Sequence, residues 1–279
     1  MENIIVCVPF THGEEENVKD IIKKVKKEFF KNYYKIFLVG PSFTHKEKNL
    51  YFIKERERKG KSFWINKIKN KKKCIFFLIS GDVSPCNGFF IKALKHFDDK
   101  NIGMVCCRVI PFKLKNIVSR LFEIQWLLCE EISTMQPKGG EAIAFRSNLI
   151  KKFHTKIVTD EAYIESNVNR SGKKIIYDKN IKVRNVPPKL LKGFISQRIR
   201  YHIGHLQVYK ETGYKVASLQ YQLLLKSLLS LMKRYPRKIC LLLMFSFIEV
   251  ISRIYAFILF SIGSSPYKWE LVFTSRRHK

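Results

Sequence analysis

Acidic side chains are scarce in this sequence. Its 279 residues hold 53 Lys and Arg against 23 Asp and Glu, a formal net charge of +30. An excess of that size implies an anionic partner: nucleic acid, an anionic membrane surface or a phosphorylated substrate. Part of it is lysine on ordinary helix surface, as at Lys23, Lys24, Lys26 and Lys27. Paired cysteines are missing too. The seven are odd in number, scattered and without a Cys-x-x-Cys pair, which argues against a disulfide framework and a zinc site and for a reducing cytosol. There is no zinc-finger spacing, aromatic-rich RNA-binding strand or compact helix-turn-helix, so charge alone supports a nucleic-acid reading. No signal peptide is visible, and the first apolar stretch, Ile4 to Val8, reads as a strand.

What is present is the alternation of an α/β domain. Ile4 to Val8, ended by Pro9, is followed by Glu14-Glu15-Glu16-Asn17 and an amphipathic helix to about Phe30, with Val18, Ile21, Ile22 and Val25 at helical spacing. Ile36 to Val39 is a second strand that stops at Gly40-Pro41-Ser42, so a βαβ rhythm with right-handed crossovers is expected. The chain is organised around Cys74 to Ile79, an unbroken apolar run halted by Ser80-Gly81-Asp82. Such a run bounded by turn residues reads as a strand buried on both faces. Ligands of open α/β sheets sit beyond the carboxyl ends of strands, where Asp82 falls. Two readings of Asp82 stand: it caps the helix that starts near Asn87, or it ligates a Mg²⁺ or Mn²⁺ ion carrying phosphate oxygens.

Other stretches have the same double character. Arg56-Glu57-Arg58-Lys59-Gly60-Lys61-Ser62 is a solvated charged loop or one that faces phosphate, before a helix from about Phe63. Gly103 to Val109 is a strand, and Ile117 to Glu130 a helix whose Phe122, Trp126 and Leu127 read as core. Lys138-Gly139-Gly140-Glu141 turns into the short apolar strand Ala142 to Phe145. Thr159-Asp160-Glu161 opens a helix. Thr159 is suited to cap it and the acids complement its dipole, while two carboxylates entering from a loop also suit a general base. Lys174 to Tyr177 and Ile181 to Val186 are short strands. A long helix from about Lys189 to Glu211 then places Gln197, Arg200, Tyr201 and Gly204 on one face, a set fit to hold a diphosphate or stack on a planar ring. His202 and His205 have metal-compatible spacing but no third ligand nearby.

The C-terminal part changes character. Val216 to Met232 is apolar with a polar stripe at Ser218, Gln222, Lys226 and Ser230, an amphipathic helix suited to a membrane interface. After the basic cluster Lys233 to Lys238, Ile239 to Ile262 is overwhelmingly apolar, broken by Glu249 and Arg253, which are spaced to pair on one helical face. An interfacial helix followed by a spanning or hairpin segment is expected, the alternative being a buried helical pair in a soluble protein, and an anionic leaflet gives the positive charge a use.

The order of these motifs resembles that of family 2 glycosyltransferases, inverting enzymes with a GT-A nucleotide-sugar fold, in their membrane-associated branch. The resemblance runs from Ile4 to about Tyr214 and more loosely through the tail. Pro9 and Glu14 match the opening Pro-x-x-Asn-Glu-Glu segment, although an extra residue intervenes and Gly13 replaces the asparagine. Arg58, Gly60 and Lys61 match the Arg-x-Gly-Lys loop. Ser80-Gly81-Asp82 stands at the Asp-x-Asp metal motif with serine for its first aspartate, and the aspartate usual after the second strand is absent at Gly40-Pro41-Ser42. Gly140-Glu141 is similar to the acceptor-side turn. Thr159-Asp160-Glu161 is similar to Thr-Glu-Asp with its acids exchanged, so position favours Glu161 as the base and residue identity favours Asp160. Gln197-Arg198-Ile199-Arg200-Tyr201 is similar to Gln-x-x-Arg-Trp with tyrosine for tryptophan.

The resemblance implies a Rossmann-like mixed sheet flanked by helices, in a GT-A domain over residues 1–214. An interfacial helix and a hydrophobic membrane segment with a basic tail would follow over 215–279. It implies a nucleotide-sugar donor held by Pro9, Glu14, Arg58, Lys61 and Asp82, with Mn²⁺ or Mg²⁺ on Asp82. Asp160 or Glu161 would be the base, and Gly140, Glu141, Gln197, Arg200 and Tyr201 would serve the diphosphate and acceptor. The expected acceptor is lipid-linked or a membrane-proximal glycan, with the catalytic domain on the cytoplasmic side. The rival expectations are an inactive transferase-like scaffold and a basic nucleic-acid-binding protein.

Overall fold

The computed structural model describes residues 3–30, 33–44, 47–57, 59–68, 73–153 and 157–263. Sixteen helices and strands longer than a single 3-10 turn occur among them. In order they are β1 (Asn3–Pro9), α1 (Glu15–Glu28), β2 (Tyr34–Gly40), β3 (Leu50–Lys54), α2 (Lys61–Ile68), β4 (Cys74–Ile79), β5 (Val83–Pro85) and α3 (Phe89–His96). Then follow β6 (Ile102–Pro111), α4 (Ile117–Met135), β7 (Ala142–Arg146), α5 (Asp160–Arg170), β8 (Lys174–Asn185), α6 (Leu191–Thr212), α7 (Tyr221–Arg234) and α8 (Ile239–Ser261).

The chain divides into two compact units. Of the described residues, those within 1–109, 139–155 and 167–185 form a sheet unit, and those within 110–138, 156–166 and 186–263 form a helical unit. The sheet has eight strands in the order β3-β2-β1-β4-β7-β6-β8-β5. β3, β2, β1 and β4 run parallel to one another, whereas β7 is antiparallel to both β4 and β6, and β5 is antiparallel to β8. The α/β architecture with a mixed sheet is therefore the one expected from the sequence. All six residues of β4 are buried. Phe77 on one of its faces meets Phe29 at 5.7 Å and Phe90 at 5.5 Å, while Phe76 stacks on Phe145 at 5.1 Å.

Several boundaries differ from those read in the sequence. Lys174 to Asn185 is one strand rather than two, because Asp178 accepts from the Asn180 backbone without breaking the extended chain. The amphipathic helix expected from Val216 begins at Tyr221, after a 3-10 turn at Ala217–Leu219. β3 and β5 were not foreseen at all: one is a half-exposed strand at the sheet edge and the other only three residues long.

In the helical unit, α8 lies along α6. The Phe194 and Phe245 rings are 6.3 Å apart, Arg198 pairs with Glu249, and the Lys210 ammonium sits 5.7 Å from the Phe260 ring centroid. α4 holds the following segment through Glu131, which takes Ser230 Oγ at 2.6 Å and Arg234 at 3.0 Å, and through Glu123, which takes Lys238 Nζ at 2.8 Å.

Candidate functional site

In the sheet unit, separate segments converge on the turn between β4 and β5. The Gly81 amide donates to the Pro9 carbonyl at 2.9 Å, tying the end of β1 to the turn. Gly81 is required there by close approach. A Cβ at that position would lie 2.4 Å from Phe10 Cβ and 2.7 Å from Glu14 Oε2. Glu14 is buried, at 5 % exposure, and its Oε2 also accepts the Thr11 amide at 2.8 Å. Lys61, at the first position of α2, donates from Nζ to Ser80 Oγ at 2.8 Å. Asp82 is half-buried beside these groups. The turn thus collects a carboxylate, an ammonium and a hydroxyl at the carboxyl end of the central strand. Arg58 lies outside the described residues.

The capping reading of Asp82 is corrected by this geometry. The first amides of α3 are satisfied by Glu28: Gly88 N and Phe90 N each donate to its carboxylate at 2.8 Å, and Ile91 N at 3.1 Å. The N-cap residue is Gly88.

Two residues that organise this half escaped the sequence reading. Asn17 donates from Nδ2 to the Gly81 carbonyl at 2.6 Å and to the Val83 carbonyl at 3.0 Å, and its Oδ1 accepts from Ser84 Oγ. It clamps the turn from α1. Glu55 accepts the Lys59 amide at 3.1 Å and the Trp64 indole at 2.6 Å, which fixes the loop leading to Lys61. A lone Asn in an acidic helix start and a Glu in a basic run carry no local sign of such roles.

Gly140 and Glu141 are half-buried just before β7. The strand start is pinned by the Cys107 thiol, which donates to the Ala142 carbonyl at 3.2 Å. Burial and the Glu141 charge push that thiol up, so it stays protonated.

In the helical unit, Asp160 is buried at 4 % exposure at the first position of α5, and Glu161 next to it is half-buried. Thr159 does not cap α5 by its side chain: its hydroxyl has no hydrogen-bond partner among the described residues. It packs instead against Gly204, where a Cβ would lie 2.5 Å from Thr159 Cγ2 and 2.7 Å from its Oγ1. The absence of a side chain at Gly204 lets α6 press on the residue preceding the two acids. Gln207 reinforces this by accepting the Val158 amide at 3.1 Å. Gln197, Arg200 and Tyr201 are half-buried on the helix that makes this contact. The Tyr201 ring has the Arg198 and Arg200 guanidiniums 5.7 Å and 5.8 Å from its centroid.

Arg198, His202 and His205 of α6 each have a structural partner. Arg198 donates from Nε and, at 3.2 Å, from Nη2 to Glu249, and His202 Nε2 lies 3.1 Å from the same carboxylate. Burial pulls the His202 pKa down to about 4, overcoming the raising effect of Glu249. His205 Nδ1 is 2.9 Å from Ser218 Oγ. The Glu249–Arg253 pair expected from spacing is present at 3.7 Å, but it is the longest of the contacts on Glu249.

No protein-family model matches the chain, and no curated protein matches it in sequence. Solved structures do match in fold. One is the mannosyltransferase PcManGT from Pyrobaculum calidifontis in complex with GDP-Man and Mn²⁺. It is 17 % identical with a TM-score of 0.63, over 92 % of this chain and 86 % of that one. A second is a mycobacterial protein at 10 % identity and a TM-score of 0.50, over 76 % and 75 % of the two chains. At these identities the likeness is one of fold: the chain folds as a nucleotide-sugar mannosyltransferase does over nearly its whole length.

Proposed function

We propose that the chain is a membrane-associated family 2 glycosyltransferase with a GT-A domain over residues 1–214 and a membrane-binding segment over 215–279. It would move a hexose, with inversion, from a nucleotide-sugar donor to a lipid-linked or membrane-proximal acceptor in glycan assembly. The observation that carries the reading is the convergence of Pro9, Glu14 and Lys61 on the Ser80-Gly81-Asp82 turn. These positions lie far apart in sequence and fall in the order of the family's donor-binding motifs. Fold likeness to a mannosyltransferase that binds GDP-Man and Mn²⁺ supports it.

Asp82 is the carboxylate of the turn, and among the described residues no group of three or more His, Cys, Asp or Glu is disposed to hold an ion. That excludes an all-protein cage for those residues but fits Mg²⁺ or Mn²⁺ arriving on a diphosphate, with phosphate and water completing its ligands. Held by Asp82, such an ion would offset charge growing on the leaving diphosphate. Lys61, Arg58 and Arg200 would each supply fixed positive charge to that diphosphate. Asp160 or Glu161 takes the proton of the acceptor hydroxyl as its oxygen attacks the anomeric carbon opposite the departing nucleoside diphosphate. Gln197 and Tyr201 orient the diphosphate and acceptor, and Gly140-Glu141 borders the acceptor side. The catalytic domain would face the cytoplasm.

The test is release of nucleoside diphosphate from UDP-, GDP- and dTDP-sugars by detergent-solubilised protein with Mn²⁺ or Mg²⁺ and a lipid extract. Metal-dependent release from one donor is expected, falling at least a hundredfold in Asp82→Ala. Undiminished release by the variant at low metal would remove the metal role. Donor binding without turnover would leave an inactive scaffold.

A further inference from the structure

Among the described residues, one helix is long and apolar enough to cross a membrane, Pro236–Ser261, which contains α8. Its packing argues against crossing. The arc of α8 bearing Leu242, Phe245, Glu249, Ser252 and Ala256 is buried, while the opposite arc is apolar and exposed, with Phe247 at 67 %, Phe257 at 61 % and Ile262 just beyond it at 74 %. The buried arc rests on α6 at a constant sequence offset, 51 residues at Arg198–Glu249, and the same spacing joins Phe194 to Phe245. At the far end Lys210 meets Phe260. The two helices therefore run parallel and side by side from Phe194 to Lys210, about 24 Å at the rise of an α-helix. Within that length α6 carries Arg198, Arg200, His202, His205 and Lys210. Any depth that α8 reaches, α6 reaches too, and ionisable side chains at that density are rare and costly in hydrocarbon even where, as at Arg198 and His202, some are paired.

We propose that α8 lies in the plane of an anionic phospholipid surface, its exposed apolar arc sunk at the headgroup boundary, rather than across the bilayer. Charge complementarity selects the lipid. α7 presents Tyr221, Leu225 and Leu229 beside exposed Lys226 and Lys233, and exposed Arg237 stands at the start of α8. Apolar residues flanked by cations in this way suit interfacial binding to negative headgroups. The inference is independent of sugar transfer. It refines the membrane association proposed above into one-sided attachment.

The experiment uses the full chain in sealed membrane vesicles of known orientation and a membrane-impermeant maleimide. Cys240 is exposed at the start of α8, and Ile262→Cys in a Cys240→Ser background places a thiol at its end. Both thiols are expected to label from the same side and to be protected together in the opposite orientation. Labelling from opposite sides means that the helix spans and overturns the proposal. As a second readout, nitroxides on Phe247→Cys and Phe257→Cys should report equal depth; a difference of about 15 Å, the rise over the intervening turns, overturns it. Flotation should be at least tenfold greater with phosphatidylglycerol than with phosphatidylcholine vesicles. Equal flotation removes the anionic selectivity, and a lipid-free dimer would assign the face to a second copy of the chain.

Discussion

The sheet unit and the helical unit solve the problem of a polar site in opposite ways. In the sheet unit the centre is dry: β4 is buried throughout among phenylalanines, and the polar groups collect at its end, on the Ser80–Asp82 turn. In the helical unit, charge is placed inside the packing itself, where Glu249 serves Arg198, His202 and Arg253 at once. The first arrangement keeps Lys61 and Asp82 half-buried at the end of the strand, outside its apolar centre. The second ties stability to ionisation, since an uncompensated charge in a packed interface is costly.

The sharpest way to break this comparison is Glu249→Ala. It leaves the Arg198 guanidinium buried without its carboxylate and should cost about 3–5 kcal/mol in chemical denaturation. Replacing both partners, Arg198→Met with Glu249→Leu, should recover most of that loss. A single replacement as mild as a surface one would mean that the network does not hold the unit together.

Acid gives the next effect. His202 has a folded pKa of about 4 against an ordinary 6.5, so the unfolded chain takes a proton that the fold refuses. Its contribution is fully present above pH 6.5 and is lost as pH falls toward 4, by up to about 1.4 kcal/mol per pH unit. Urea midpoints measured from pH 7 to 4 should show this slope, and His202→Asn should flatten it.

Gly204→Ala tests the contact that brings α6 to the acids. A Cβ 2.5 Å from Thr159 Cγ2 should cost about 1–3 kcal/mol and depress turnover, with partial rescue by Thr159→Ala. The smallest effect belongs to the sheet unit. Asn17→Ala strips two donors from the Gly81 and Val83 carbonyls for about 1–2 kcal/mol, and should raise the donor KM more than it lowers kcat.

What was legible in the sequence follows from range. β4 was readable because a strand buried on both faces is a run of apolar residues, and α1 because its buried residues recur at helical spacing. β5 was not, since three residues carry no period, and β8 was split because Asp178-Lys179-Asn180 has the composition of a turn. The candidate site divides the same way. Asp82, Lys61 and the Asp160–Glu161 step stand out in the sequence as residue types in an order. The clamp by Asn17, the Glu28 cap and the Arg198–Glu249 pair were hidden, because each joins positions that no local pattern connects.

The discontinuity of the sheet unit has a consequence for how the protein is made. Its strands are not synthesised in the order in which they pair: β4 emerges early, but one of its two neighbours, β7, is supplied only after β6 and the whole of α4. On the ribosome the most apolar strand of the molecule waits with an open edge, the condition under which nascent chains pair with the wrong partner. The last strand in, β8, is inserted between β6 and β5, so the sheet is complete only when Asn185 has left the exit tunnel. A chain truncated at any earlier point would release an unfinished sheet, and premature termination should therefore yield aggregate rather than a smaller stable fragment.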